Sequence, residues 1–267
     1  MIYIITTHYK TDVWFKPQKE HLEKYTVGDY MVLCGCYKVD IPDDEKYARL
    51  NISHMPDIHF TQVNLLADAN LLPKLEDDDI FIFLDCDCFP CDFAWDKKIK
   101  TYLEDHDVVS VYRDEERGID NHYDDIPHLC FFATRKKTWI ENNLKWALDG
   151  FENPQVGMKR RLNKANLKIK KLKRTNVFNA HRVCFGIYDD LLYHHCCAIR
   201  GFDGEVWEGA DFFLRGGRNG LFYAPGNEAT REGDLAKVNA GIWNLIWEGI
   251  KNDETNTFVR RYFMGKS

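Results

Sequence analysis

Short runs of β-branched and aromatic residues alternate along the first half of the chain with segments whose apolar residues recur every three or four positions. The short runs predict strands, and they lie at 2–5, 31–34, 80–84, 107–112 and 129–134. The wider spacing predicts helices, and it covers 60–75, 93–105, 136–148 and 235–250. Because strands and helices alternate over residues 1–150, the pattern predicts an α/β sandwich with a mostly parallel central sheet, followed late by a C-terminal helix.

The size and composition of the chain fit one large domain. It has 267 residues, of which 45% are apolar, and the sequence holds neither an internal repeat nor a low-complexity linker. We therefore expect a single domain over 1–267, with one half at 1–150 and the other at 175–267. A net charge of −6 argues against a general nucleic-acid binder, since those proteins usually carry a basic balance.

The sequence predicts neither a membrane span nor a secretory signal. No apolar run approaches the ~18 residues that cross a bilayer, and the N-terminus lacks a basic start and a small-residue cleavage site. The nine cysteines are an odd number in a chain without a signal, which favours free thiols in a reducing compartment. We therefore expect a cytoplasmic protein.

The apolar run at 80–84 leads directly into two aspartates, Asp85 and Asp87. On a strand, residues two apart point to the same side, so both carboxylates would face one way while Cys86 and Cys88 face the other. Open α/β sheets bind ligands beyond the carboxyl ends of their strands. Two carboxylates held close together repel unless a cation neutralises them, and oxygen ligands at this spacing suit Mg²⁺ or Mn²⁺.

The cysteines around this motif offer a second interpretation. Cys86, Cys88 and Cys91 could form a zinc site together with Cys34 or Cys36. Structural zinc sites usually combine two cysteine pairs with two intervening residues each. Cys88 and Cys91 have that spacing, but Cys34 and Cys36 do not, so buried reduced thiols behind the strand are the favoured interpretation.

An apolar strand that ends in Asp-x-Asp, a third of the way along an α/β chain, resembles the GT-A fold of nucleotide-sugar glycosyltransferases. The resemblance covers roughly residues 1–215 and implies a Rossmann-like α/β/α sandwich. It implies that Asp87 chelates Mn²⁺ (or Mg²⁺) and that Asp85 contacts the metal, its water or the ribose of the donor. The implied reaction is metal-dependent transfer of a sugar from a UDP- or GDP-sugar to a hydroxyl of a glycan or glycoconjugate acceptor.

Many enzymes of that family complete the metal site with a histidine from a late strand. His194 and His195 follow a short apolar run and are the last two histidines in the chain. A neutral imidazole is an ordinary ligand for Mn²⁺. The alternative is a pair of polar residues at a strand end. If one of them ligates the metal, His195 is the preferred choice.

A segment further along resembles the acceptor side of inverting GT-A enzymes. It begins with the Gly-Phe-Asp sequence at 201–203, and Trp207, Glu208 and Asp211 fall in register with family positions. Asp211 or Glu208 would act as the general base, and Trp207 would lie under an acceptor sugar. Gly209 stands where the family usually keeps its base aspartate. The alternative for the two acids is a helix N-terminus whose dipole they complement.

The loop after the first strand contacts the nucleoside in the same fold. In this chain that loop holds Thr6 and Thr7, whose hydroxyls could hydrogen-bond the donor. His8 and Tyr9 offer flat faces against which a base could lie.

Residues 159–174 hold nine basic side chains and no acidic one. A solvated surface segment is the commonest explanation of such a run. The run could also contact the donor diphosphate, or make a peripheral contact with an anionic membrane or a lipid-diphosphate acceptor. Between Leu167 and Leu172 apolar and basic residues alternate, which suits an exposed edge strand as well.

Two rival functions fit parts of the pattern. Phosphohydrolases with an aspartate nucleophile also end an apolar strand in Asp-x-Asp, but usually near the N-terminus and with Thr or Val where this chain has Phe89. A non-catalytic, metal-stabilised sugar-binding domain would need no general base. The acids at Glu208 and Asp211 favour catalysis over that second rival.

Overall fold

The computed structural model describes residues 1–42, 44–56, 58–113, 125–148, 150, 153–175 and 186–195. Ten strands lie in this part of the chain, namely β1 (Ile2–Tyr9), β2 (Tyr30–Tyr37), β3 (Tyr47–Asn51), β4 (Ile80–Leu84), β5 (Cys88–Pro90), β6 (Val108–Arg113), β7 (Ile126–Arg135), β8 (Ile169–Leu172), β9 (Gly186–Tyr188) and β10 (Leu192–His194). The α-helices among the same residues are α1 (Phe15–Tyr25), α2 (His59–Leu65), α3 (Trp95–Asp105), α4 (Lys136–Glu141) and α5 (Pro154–Lys164). Helix α2 continues into a π-helical turn, Leu66–Leu71, and a 3₁₀ turn, Leu72–Lys74.

Seven strands form the central sheet in the order β3-β2-β1-β4-β7-β6-β8. Strands β1 to β4 run parallel to one another, and β8 runs parallel to β6. Strand β7 is inserted antiparallel between β4 and β6. The predicted fold class, an α/β protein with a mostly parallel central sheet, is therefore confirmed.

Helices cover both faces of this sheet. Side chains of α1 and α3 share one buried apolar cluster with Ile82 and Leu84 of β4. The segment from α2 to the 3₁₀ turn, together with α4 and α5, shares a second cluster with Phe81 and Phe83 on the other side. All five residues of β4 are buried. This two-sided burial is why the strand reads as an unbroken apolar run in the sequence.

A small second sheet, in the order β5-β10-β9, begins just beyond the end of β4. Strand β10 pairs antiparallel with β5, and its last residue, His194, lies opposite Cys88. This sheet brings a late segment of the chain beside the residues that follow the buried central strand.

Helix α4 is shorter than its apolar spacing predicts, since it ends at Glu141 instead of near residue 148. Asn143 has a positive φ of 48°, which no right-handed helix accommodates. Beyond it, the side chain of Asn64 binds the backbone N–H and C=O of Trp146. The predicted helix is therefore wrong in its second half, because the backbone of Trp146 hydrogen-bonds to Asn64 and does not continue the helix.

Helices α1 and α5 and strand β3 were not predicted. Pro17 lies in the first turn of α1, where its missing N–H costs no helical hydrogen bond. Helix α5 begins behind an Asn153 cap, whose side chain accepts a hydrogen bond from the backbone N–H of Gln155 at 2.8 Å. The predicted C-terminal helix at 235–250 lies outside the described residues.

The basic run at 159–174 forms the end of α5 and the edge strand β8. The ammonium groups of Lys170 and Lys171 lie 2.7 and 2.6 Å from carboxylate oxygens of Asp189 and Asp125. Among the described strands β8 is the last of the central sheet, so the edge-strand interpretation of this segment is confirmed. No helix in the part of the chain that the structure describes is long and apolar enough to cross a bilayer.

Candidate metal and nucleotide site

Asp85 and Asp87 lie in a tight turn directly after β4. The backbone N–H of Cys88 donates to the carbonyl oxygen of Asp85 at 2.9 Å, which closes the turn. The side-chain amide of Gln18, on α1, donates to the carbonyl oxygens of Asp85 and Cys88 at 2.8 and 3.0 Å. The strand geometry used to predict where the aspartates point is therefore wrong, because the motif is a turn that a buried glutamine holds.

Both carboxylates nevertheless meet one imidazole. The Nε2 atom of His194 lies 3.4 Å from Oδ1 of Asp87 and 3.8 Å from Oδ2 of Asp85. One ligand atom from each of the three residues lies within 4.8 Å of the other two. The side chains of His194 and Asp87 are only 3% and 4% exposed, and that of Asp85 is 20% exposed. The group therefore forms a largely buried cluster whose opening to solvent is at Asp85.

His195 points away from the aspartates, although the sequence led us to prefer it as the ligand. Its backbone N–H donates to the carbonyl oxygen of Asp87 at 3.0 Å, and its ring lies 4.4 Å from the ring of Trp14. Its Nδ1 atom lies 3.0 Å from the hydroxyl oxygen of Tyr193. Neighbouring strand residues face opposite sides, so the pairing of β10 decides that His194 meets the carboxylates. Metal ligation itself stays a prediction.

The charges in this cluster favour a bound cation. Burial raises the pKa of Asp85 and the charge of Asp87 raises it further, whereas His59 and His194 act in the opposite direction. The donor set of two carboxylates and one imidazole matches the ligands that Mn²⁺ accepts. A divalent cation would remove the repulsion that now disfavours two charged carboxylates here. The residues present therefore fit a divalent metal.

Two further histidines lie beside the aspartates. The Nε2 atom of His59, at the start of α2, is 3.6 Å from Oδ1 of Asp85 at the exposed side of the cluster. His8 is completely buried, and among the described residues neither of its ring nitrogens has a hydrogen-bond partner. Burial lowers the pKa of His8 to about 4, with the charge of Asp87 acting in the opposite direction. A buried imidazole on β1 therefore lies near enough to Asp87 to be influenced by its charge.

The predicted nucleoside contacts lie at the carboxyl end of β1. Thr6 and Thr7 are buried within the strand, and Tyr9 is half-buried at its end. The ring of Tyr9 stacks on that of Tyr37 from β2, with centroids 4.9 Å apart and planes 4° from parallel. The ammonium groups of Lys10 and Lys38 lie 5.1 Å from the Tyr9 and Tyr37 ring centroids, respectively. A cationic aromatic surface therefore lies at the same sheet edge as the aspartates.

The six described cysteines are free thiols. No cluster of metal-ligating groups among the described residues includes Cys34, Cys36, Cys86, Cys88 or Cys91, so the zinc site considered for them has no support there. The sequence did not reveal a different cluster, which joins Cys130 to His128 and His194 within 4.8 Å. A histidine and a cysteine two apart on β7 were its only sequence signal.

Trp207, Glu208 and Asp211 lie outside the described residues, and their roles stay predictions.

No protein-family profile matches this sequence, and no curated protein matches it. TarS from S. aureus is 13% identical over 64% of this chain, which spans 35% of the TarS chain, with a TM-score of 0.42. The galactosyltransferase LgtC, solved with donor and acceptor sugar analogues, is 12% identical over 64% of this chain and 73% of its own, with a TM-score of 0.40. A197 from STIV is 16% identical over 73% of this chain and 93% of its own, with a TM-score of 0.41.

Similarities of this size assign no activity to the chain. The strand order and the helices on both faces define an α/β protein with a mostly parallel central sheet. Its candidate divalent-cation site consists of Asp85, Asp87 and His194.

Proposed function

We propose that this protein is a metal-dependent glycosyltransferase that moves a sugar from a nucleoside-diphosphate sugar to a hydroxyl of a glycan or glycoconjugate acceptor. One observation carries the proposal. Asp85, Asp87 and His194 converge, largely buried, at the end of a parallel strand in the middle of the sheet. Ligands of open α/β sheets bind at this edge.

Asp85, Asp87 and His194 would hold Mn²⁺ or Mg²⁺. The cation would neutralise the charge that develops on the leaving nucleoside diphosphate. Gln18 orients the acid pair by holding the backbone of the turn. Burial keeps the imidazole of His8, which feels the charge of Asp87, neutral, and this avoids a competing positive charge near the cation.

The donor base would lie near the stacked pair of Tyr9 and Tyr37, because stacking on an aromatic face accepts any nucleobase. Lys10 and Lys38, held over these rings, would attract the negatively charged donor. Thr6 and Thr7 are buried in β1, so they would support the base-binding end of the strand more readily than contact the ribose.

The acceptor side of the proposal involves residues that lie outside the described part of the chain. Asp211 or Glu208 would take the proton of the attacking hydroxyl, and Trp207 would lie under the acceptor sugar. In this arrangement residues 1–150 bind the donor and 175–267 the acceptor within one domain. The free cysteines among the described residues suit a reducing compartment such as the cytoplasm.

A thermal-melt titration tests the donor and the metal together. A ligand that binds only the folded state raises the apparent stability. We expect Mn²⁺ to raise the melting temperature, and UDP, GDP or one of their sugars to raise it further only when Mn²⁺ is present. Asp87→Asn should abolish both shifts.

Asp78→Asn is the matched control, because Asp78 is an exposed aspartate outside the site and should leave both shifts unchanged. A nucleotide response that ignores Mn²⁺, or no response to any nucleoside diphosphate, would contradict the proposal. Release of phosphate from simple esters would indicate the phosphohydrolase instead.

A further inference from the structure

The second cluster of ligating groups lies directly beside the acid pair and has a different chemistry. Strand β7 supplies His128 and Cys130, and β10 supplies His194. The backbone N–H of Asp85 donates to the carbonyl oxygen of Cys130 at 3.0 Å, which fixes the position of this cysteine next to the turn. We propose that His128, Cys130 and His194 form a second site, which shares His194 with the acid pair, for a thiophilic divalent cation of the zinc type.

The donor atoms support this choice of ion. Zinc prefers cysteine sulfur and histidine nitrogen, whereas Mg²⁺ and Mn²⁺ prefer the oxygen ligands of the acid pair. One ligand atom from each of the three residues lies within 4.8 Å of the others, so modest side-chain movement would bring them around one ion. Three protein ligands leave one position of a tetrahedral zinc open.

Local hydrogen bonds and burial hold the side chains of His128 and Cys130 in place. The Nδ1 atom of His128 accepts a hydrogen bond from the backbone N–H of Cys130 at 3.1 Å, which holds the imidazole beside this cysteine. Cys130 is completely buried, and its thiol interacts with Cys88 and both histidines. A buried thiolate between two imidazoles is stabilised by a cation.

His194 belongs to both ligand sets, which gives the site a functional consequence. An imidazole bound to zinc beside Cys130 is withdrawn from Asp85 and Asp87. We therefore expect zinc to weaken Mn²⁺ binding at the acid pair. The two sites remain chemically distinct, because only one of them contains sulfur.

Cobalt is the probe for the test, because Co²⁺ replaces Zn²⁺ and a cobalt–thiolate bond absorbs in the near ultraviolet. The whole chain is titrated with Co²⁺ in the presence of a phosphine reductant. We expect a thiolate-to-cobalt band in the wild-type protein, and we expect stoichiometric Zn²⁺ to remove it. Cys130→Ser should abolish the band, whereas Cys91→Ser, which alters another buried thiol in the same way, should keep it.

Two variants separate this site from the acid pair and from folding defects. Asp87→Asn should keep the cobalt–thiolate band, and its loss there would mean one shared site and overturn the proposal. His128→Gln alters only a half-buried side chain and should weaken Zn²⁺ binding by about tenfold or more. If Cys130→Ser fails to fold, the zinc affinity of His128→Gln tests the proposal. An affinity equal to that of the wild type would overturn it. A band that is missing from the wild type, or that survives in folded Cys130→Ser, also overturns it.

Discussion

The backbone N–H of His195 donates to the carbonyl oxygen of Asp87 at 3.0 Å. This bond extends the pairing of β10 with β5 by one residue and ties a late segment to the turn after β4. It also decides which of two adjacent histidines faces the acid pair. The imidazole of His194 lies beside both carboxylates, and that of His195 packs on Trp14.

Substitution of His194 should therefore change the metal affinity, whereas substitution of His195 should change the stability. His194→Gln should weaken Mn²⁺ binding by about tenfold or more, because it removes a ligand of the proposed site. His195→Gln should lower the stability, since His195 is completely buried, and should leave the Mn²⁺ affinity nearly unchanged. Calorimetric titration with Mn²⁺ measures the affinities. A greater loss of Mn²⁺ affinity in His195→Gln than in His194→Gln would contradict the assignment of His194 as the ligand.

His21 should make the protein less stable in mild acid. Burial lowers its pKa from 6.5 to about 4, although its hydrogen bond to the carbonyl of Pro90 acts in the opposite direction. The folded pKa lies below the unfolded one, so the stabilisation is complete above pH 6.5 and is lost as the pH falls toward 4. The full loss amounts to about 3 kcal/mol.

Urea denaturation at several pH values between 6.5 and 4 tests this contribution. In His21→Gln the free energy of unfolding should fall less steeply over this range than in the wild type. His54→Gln is the control, because His54 is exposed and its removal should leave the slope unchanged. Parallel pH profiles for wild type and His21→Gln would refute the prediction.

Asn64 should stabilise the segment after α4. Its side chain binds the backbone N–H of Trp146 at 3.0 Å and also the carbonyl oxygen of the same residue. Asn64→Ala leaves both groups of a buried residue without this partner and should cost about 1–3 kcal/mol. The urea midpoint should fall with an unchanged slope.

Asn70→Ala provides the comparison for Asn64. The Asn70 side chain makes a 3.3 Å hydrogen bond to the carbonyl oxygen of Leu65 at the surface. Its loss should change the free energy of unfolding by less than about 0.5 kcal/mol. Equal effects of the two substitutions would show that the bridge to Trp146 does not stabilise the fold.

Gly157 allows α5 to approach the backbone near α4. A Cβ atom at this position would lie 2.2 Å from the carbonyl oxygen of Ala147. Gly157→Ala should therefore destabilise the protein by about 1–3 kcal/mol. On an open helix surface the same change would stabilise by roughly 1 kcal/mol, so the sign of the effect is diagnostic.

Thermal and urea unfolding of Gly157→Ala measure whether the substitution raises or lowers the free energy of unfolding. Arg160→Ala, at an exposed position of the same helix, should stay within about 0.5 kcal/mol of the wild type. A Gly157→Ala protein more stable than the wild type would mean that α5 does not pack closely on Ala147.

Local patterns were sufficient for most strands of the central sheet, but not for β3 and not for every helix. The apolar run Ile80–Leu84 predicts a buried strand because both of its faces are covered. The second half of the helix predicted at 136–148 does not form, because Asn64 binds the backbone of Trp146 from 82 residues away. Periodicity describes one segment and contains no information about such a distant contact.

The candidate site also has a part that the sequence predicts and a part that it does not. The sequence by itself determined that two aspartates directly follow an unbroken apolar strand, and hence that carboxylates gather at the ligand-binding edge of an α/β sheet. Only the tertiary structure decided that His194 meets them, that Gln18 holds their turn, and that His128 and Cys130 lie next to them. The physical reason is that strand pairing sets which side chains converge. That pairing depends on register between segments about a hundred residues apart, which neighbouring residues do not specify.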